Sequence, residues 1–386
     1  MFFYTSIFFT QQNKIDSLIN ELKKWEKKSG YEADTTLYNI YYNLGEQFQY
    51  SNPDTAIYFL KQSITKARII KDAIREAESV RQIGWCYYVI GDYSKALEIY
   101  DQALKTLPEK VSEKDIFRKQ KVYAAIIGSI GIVYKQQGNY SKALEYYFRV
   151  LKIFEQIGDK RRQAAALGNI GIVYKQQGNY SKALDYYFRA QKIDEEIGNK
   201  RSQAANLGNI GGVYAKQGNY SKALDYYLIA QKIDEEIGNK QGQAINLGNI
   251  GLMYTEQGDY SKALDYYFWA LKICKETGDK EGQAINFGSI GSLYLKQKKY
   301  KEAEEYLKKA ITLGEEVYIP YYLKDFYNNL SDLYSQTGRH KEALEAYKKH
   351  VMHKDTLNNE QNRKALATKE MQYEFERKQE QERSKH

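Results

Sequence analysis

His350 and His353 stand three residues apart, a spacing that puts two imidazoles on one helix face, with Asp355 close behind as a third donor. Such a set could hold a divalent metal, but two histidines on a solvated helix face is the simpler reading. His340 and His386, the other two, also lie near the C-terminal end, so the rest of the chain supports no His–carboxylate pair for acid–base catalysis. Cys86 and Cys274 are too far apart in an elongated array to form a disulfide. The phosphate-cradling Gly-x-x-x-x-Gly-Lys-Ser/Thr loop, the dinucleotide Gly-x-Gly-x-x-Gly and the zinc pair Cys-x-x-Cys are all missing from the sequence. No catalytic site, metal or cofactor is therefore expected.

Tyrosine is the abundant reactive side chain, with 38 copies among dispersed lysines, and such a surface could stack single-stranded nucleic acid. Tyr174, Tyr187 and their copies instead recur at core positions, where the ring fills the interior and the hydroxyl reaches the boundary. The charge balance of 58 − 49 = +9 is spread thinly between acidic residues. No nucleic-acid partner is expected.

The element that positions these residues is a repeat. Gly138-Asn-Tyr-Ser-Lys-Ala-Leu144 returns, with small changes, at Gly178, Gly218 and Gly258, each 40 residues on, and residues 131–170 differ from 171–210 at only eight positions. Weaker copies at Ser51, Gly91, Lys298 and Gly338 bring the total to eight units. Leu167, Ile170 and Tyr174, then Tyr180, Ala183, Leu184, Tyr187 and Ala190, follow helical spacing, so each unit is two amphipathic helices. Gly178 closes the first helix in a left-handed conformation and Asn179 caps the second; Gly198 and Asn199 repeat the device between units. Gly171, Ala183 and Ala190 leave room for close helix packing. With three prolines to interrupt it, the chain is all-α.

Three segments follow. Residues 1–35 are an apolar N-terminal segment and leading helix; 36–355 are the repeat array, with an irregular insertion near 109–120 after Pro108; 356–386 are a charged helical tail through which self-association would run. No apolar run is long enough for an integral membrane segment. Met1–Thr10 reads equally as a signal-peptide remnant, which would place the chain in the periplasm, or as an apolar cap on the first helices of a cytoplasmic protein.

Leu167, Ile170, Gly171, Tyr174, Gly178, Tyr180, Ala183, Tyr187 and Ala190 resemble the tetratricopeptide signature, over roughly residues 36–355. Leu167-Gly-Asn169, Leu207-Gly-Asn209 and Leu247-Gly-Asn249 further resemble the 40-residue repeats of Leu-Gly-Asn scaffolds and kinesin light chains. Leu357-Asn-Asn-Glu360 with Met371, Tyr373 and Glu374 resembles the connector after tetratricopeptide sensor regions of bacterial signalling proteins. The resemblance implies a right-handed superhelical solenoid of about eight tandem helix pairs, first helices lining its concave face and second helices its convex face.

On that assignment Asn43, Ser129, Asn169, Asn209, Asn249, Ser289 and Asn329 fall in one line along the inner face. A row of short polar side chains can pair with both the N–H and the C=O groups of an extended peptide, and the glycines beside it remove bulk. Ile132, Ile172 and Leu252 add an apolar floor, and Gln136, Gln176 and Lys216 polar walls. The expected function is a non-catalytic scaffold that binds a protein or peptide segment in this groove, as the sensor part of a bacterial signalling system. An architectural scaffold that self-assembles without a peptide is the alternative, in which the asparagines only tie neighbouring helices together.

Overall fold

The computed structural model describes residues 4–28 and 30–356. Among them there is no strand. A leading helix, α1 (Tyr4–Trp25), precedes eight helix couples in sequence: α2 (Tyr31–Phe48) and α3 (Pro53–Ile69), α4 (Ala73–Ile90) and α5 (Tyr93–Thr106), α6 (Glu113–Gln136) and α7 (Tyr140–Gln156), α8 (Lys160–Gln176) and α9 (Tyr180–Glu196). Then come α10 (Lys200–Lys216) and α11 (Tyr220–Glu236), α12 (Lys240–Gln257) and α13 (Tyr260–Thr277), α14 (Lys280–Lys296) and α15 (Tyr300–Glu316), and α16 (Pro320–Gln336) with a helix over residues 340–356. The tail expected to mediate self-association and the apolar side chains of residues 1–10 lie outside the described residues. The helices form two units, with the boundary between Val173 and Tyr174 inside α8.

In the N-terminal unit α1 buries Ile15 and Leu18 against Ile40 and Leu44 of α2. Ala96, Tyr100 and Ala103 of α5 share a core with Val122, Ile126 and Val133 of α6. The residues that break the 40-residue period form an irregular stretch over 107–112 and then lengthen α6 to 24 residues, against 17 in α10. In the C-terminal unit Ala223 and Tyr227 of α11 pack with Ile250 and Met253 of α12, and a larger core joins α13 through residue Ala346.

Each turn works as its residues dictate. Gly178 takes φ +75°, its N–H and that of Asn179 reach back to the carbonyls of Lys175 and Tyr174, and the Asn179 side chain accepts from the Lys182 N–H at 3.2 Å. That closes α8 with the paired bonds of a Schellman turn and starts α9 with a side-chain cap. Three turns depart from the pattern, the first at Lys71 (φ 57°) between α3 and α4. Lys298 (φ 59°) and Tyr318 (φ 52°) occupy the left-handed positions that Gly258 and Gly278 fill one unit earlier. A side chain there is strained, so Lys298→Gly and Tyr318→Gly should each stabilise the C-terminal unit by about 1 kcal/mol, read as a higher denaturation midpoint.

Inside a pair, the second-helix tyrosine needs a glycine opposite. A Cβ built on Gly251 would lie 2.8 Å from the Tyr267 ring and 3.2 Å from the Ala263 carbonyl oxygen, and Gly211 stands likewise against Tyr227. The expectation that these hydroxyls reach the boundary is corrected for Tyr147 and Tyr187, whose phenol oxygens are buried without a hydrogen-bond partner. Burial pushes both phenols up. Tyr174 is not a core residue but half-buried, stacked on Tyr186 at 5.5 Å with Lys182 over its ring.

The junctions between pairs carry a polar device that the line of asparagines does not supply. Asp234, buried at the end of α11, accepts from Asn239 (2.7 Å) and from Asn246 of α12 (2.9 Å), while Gln243 donates to the Asp234 backbone carbonyl at 3.0 Å. Asp194 receives the same three bonds from Asn199, Asn206 and Gln203. Asn199 thus stands at the cap position of α10 without making the cap bond expected of it. The junction between α7 and α8 is apolar instead: Phe154 stands where the aspartate would and Ala166 where the asparagine would, both buried, and Gln163 still donates to the Phe154 carbonyl at 2.9 Å.

The reading of His350 and His353 as solvated is overturned. His353 is buried, its ring stacked on Tyr327 at 5.7 Å and its Nε2 without a partner. His350 donates through Nδ1 to the Lys324 carbonyl at 2.7 Å. Burial pushes the His353 imidazole down, with Lys349 adding to it and Glu315 opposing. A histidine depressed in the folded state gives stability that is present above its ordinary value of about 6.5 and lost as pH falls from there through the folded value. The C-terminal unit should melt lower at pH 5 than at pH 7.5, and His353→Phe, which keeps the stack, should shrink that difference; an undiminished difference would exclude His353 as its source.

Candidate peptide-binding face

The predicted residues divide between the two units. Asn43, Ser129, Ile132, Gln136, Asn169 and Ile172 belong to the N-terminal unit. There Ser129 is buried and donates to the Ala125 carbonyl at 3.0 Å, Gln136 is exposed, and the others are half-buried. Gln176, Asn209, Lys216, Asn249, Leu252, Ser289 and Asn329 belong to the C-terminal unit, where three hollows adjoin along the first helices.

The first hollow, about 430 Å³, is lined by Asn209 and Asn249 with Gly208, Gly212, Tyr227 and Ile245. The second, about 340 Å³, shares Asn249 and Ile245 with it and adds Leu252, Ile285, Ser289 and Tyr322. The third, about 290 Å³, shares Leu252, Ser289 and Tyr322 with the second and ends on Asn329 and Phe326. Five predicted groove positions, Asn209, Asn249, Leu252, Ser289 and Asn329, therefore line one continuous run. Gln176 and Lys216 are exposed at the ends of α8 and α10 and line none of the three hollows.

Asn209, Asn249 and Asn329 are half-buried, and their amides make no hydrogen bond among the described residues. Asn206 and Asn246, three residues earlier in the same helices, are buried and bonded to aspartates. The helix thus points one amide at the next pair and the other at the hollows. The glycines between them differ in purpose. A Cβ on Gly208 or Gly248 would meet only an asparagine oxygen at 3.5–3.7 Å, so both positions have room, whereas on Gly288 it would strike the Phe326 ring at 2.0 Å. Gly288 is glycine because the next helix needs the space.

The apolar lining comes partly from residues not foreseen. Ile245, 57% exposed, and Ile285 lie one helical turn before Asn249 and Ser289, on the same face. The position four residues ahead of each ladder residue reads Ala205, Ile245, Ile285 and Asp325, a variation that pointed to this face. Tyr267 reaches it from the second helix, its hydroxyl 3.3 Å from Thr255 Oγ1.

Residues 123–196, 202–276 and 282–351 match a tetratricopeptide repeat family model, and residues 80–109 match a second one. The first model alone covers more than half of the chain, which belongs to the tetratricopeptide repeat family. No curated protein matches the sequence. Among solved structures, the apo form of RapI is similar at 18% identity and a TM-score of 0.58, over 74% of this chain and 99% of that one. The Rap conjugation gene regulator of plasmid pLS20, in complex with the Phr* peptide, is similar at 15% identity and 0.57, over 91% and 96%. A signal transduction ATPase with numerous domains and a tetratricopeptide repeat sensor, from Pyrococcus horikoshii, is similar at 18% identity and 0.61, over 90% of this chain and 54% of that one. At these identities the likeness is one of fold.

Proposed function

We propose that this chain is a non-catalytic scaffold that binds an extended protein or peptide segment along the hollows of α10, α12, α14 and α16, as the sensing part of a bacterial signalling system. The observation that carries this is the contrast between two sets of amides. Those of Asn206 and Asn246 are consumed by buried aspartates, while those of Asn209, Asn249 and Asn329 face a continuous run of hollows with their hydrogen-bonding capacity unused. A peptide backbone offers donors and acceptors to such a row, and Ile245, Leu252 and Ile285 offer apolar contact for its side chains. The conjugation regulator crystallised with Phr* is a similar fold carrying a peptide, and the archaeal ATPase uses repeats of this kind as a sensor. The test is a random nonapeptide library selected on the wild-type protein, with the selected peptides titrated against the Asn209→Ala/Asn249→Ala/Asn329→Ala variant. Peptides that bind the wild type and lose affinity for a variant that melts normally support the reading. A library that yields no binder, or binders indifferent to the three changes, refutes it.

A further inference from the structure

In the C-terminal unit one register of the second helices changes character midway: it holds Arg189 in α9, Ile229 in α11, Trp269 in α13 and Lys309 in α15. All four positions are exposed, Ile229 at 49% and Trp269 at 53%. Beside the apolar two stand Leu228 and Phe268, exposed as well. The Trp269 ring meets the Tyr266 ring edge-on at 4.9 Å, a contact that holds the indole at the surface. Four large apolar side chains thus face outward from the second helices of two successive pairs, and none of them lines a hollow.

The same change frees charge. Arg189 pairs with Asp185 at 3.8 Å and Lys309 with Glu305 at 2.6 Å, each with a carboxylate one turn earlier in its own helix. With Ile229 and Trp269 at that register, Asp225 and Asp265 lose this partner, and neither makes an ion pair among the described residues. Lys232 and Lys272, seven positions after those aspartates, are exposed and make no ion pair among the described residues either. Seven positions are two turns, about 10 Å along the axis, too far for the aspartate and lysine of one helix to meet. Each of the two helices therefore presents a carboxylate, an apolar pair and an ammonium, in that order on one face. The order is self-complementary. A copy of the helix laid antiparallel on it sets ammonium on carboxylate, apolar pair on apolar pair and carboxylate on ammonium. The centre of the charges falls between Leu228 and Ile229 in α11 and between Phe268 and Trp269 in α13, where the apolar pairs stand.

We propose that the outward face of α11 and α13 is an interface with a second copy of this chain, the helices running antiparallel to their counterparts. Leu228, Ile229, Phe268 and Trp269 form its centre, and Asp225 and Asp265 pair with Lys232 and Lys272 of the second copy. A two-fold axis makes every such pair twice. The buried apolar centre supplies the affinity, and the charges around it fix the orientation. On the flanking helices the cations are neutralised by Asp185 and Glu305, so they border the patch without opposing the contact. The interface uses no residue that lines the hollows and is independent of the groove reading.

Sedimentation-velocity ultracentrifugation of the full chain over a concentration series, at low and high salt, reads the association. The wild type should dimerise. Ile229→Arg/Trp269→Lys imports the residues that α9 and α15 carry at this register, restores a cation one turn from each aspartate, and should weaken the dimer about a hundredfold or more with the melting temperature unlowered. Asp225→Lys/Asp265→Lys and Lys232→Asp/Lys272→Asp each set like charges against each other across the two-fold, so each alone should weaken the dimer about tenfold or more. Mixed together, the two charge variants should recover a one-to-one heterodimer whose affinity falls with salt. That recovery changes no apolar residue, so it tests the interface even if the apolar variant fails to fold. A wild type that stays monomeric at every concentration overturns the proposal. A dimer indifferent to the apolar and charge variants overturns it too and places self-association on another surface, and a mixture of the charge variants that stays monomeric overturns the antiparallel pairing.

Discussion

Asp234→Phe should destabilise the C-terminal unit by about 3 kcal/mol, and adding Asn246→Ala should recover most of that loss. The aspartate accepts from Asn239 and Asn246 in a buried place. Removing the acceptor strands the Asn246 amide, and hydrogen bonds to a charged group are worth about 1.5–3 kcal/mol each. The chain itself contains the repair. Phe154 and Ala166 occupy the same two positions two junctions earlier, with the glutamine-to-carbonyl bond from Gln163 unchanged. The double variant at 234 and 246 imports that apolar solution, so the two changes should be strongly coupled in a double-mutant cycle. Denaturant titration of the two single variants and the double one reads the coupling. Additive losses would mean that the two residues do not act as a unit.

The second large effect is on binding rather than stability. Alanine at Asn209, Asn249 and Asn329 removes amides that have no partner within the protein, so the melting temperature should stay within a degree or two. Each lost pairing with a peptide backbone is worth about 0.5–1.5 kcal/mol net, so three together should weaken a groove-bound nonapeptide by roughly one to three decades. Asn206→Ala is the contrasting control, since it should lower stability through Asp194 and leave the intrinsic affinity of the folded protein nearly unchanged. The opposite pattern, with the ladder variants unstable and Asn206→Ala harmless, would show that the ladder is the inter-pair tie.

The repeat, the helix pairs and the turns were open to reading because they follow from local chemistry. Gly178 and Asn179 mark a helix end and a helix start wherever they occur, and Tyr227 opposite Gly211 is a large-against-small pair at fixed spacing. The junctions were harder, because Asn206 and Asn209 are both short amides in near-identical contexts and only their rotation about the helix separates a tie from a free group. A signal was present within the chain: Asp194 goes with Asn206 and Asp234 with Asn246, while Phe154 goes with Ala166. Paired variation of that kind marks contact. His353 escaped because its burial depends on Tyr327, a partner 26 residues away that periodicity does not reveal.

The central claim is that the row of free amides grips a peptide backbone, and a crystal structure of the protein with a library-selected nonapeptide measures it most directly. The account predicts an extended chain along α10, α12 and α14, with the side-chain amides of Asn209 and Asn249 each within about 3 Å of a peptide carbonyl oxygen or backbone nitrogen. A peptide seated on the second helices, α11 and α13, or one lying in the hollows with both amides unbonded, would contradict it.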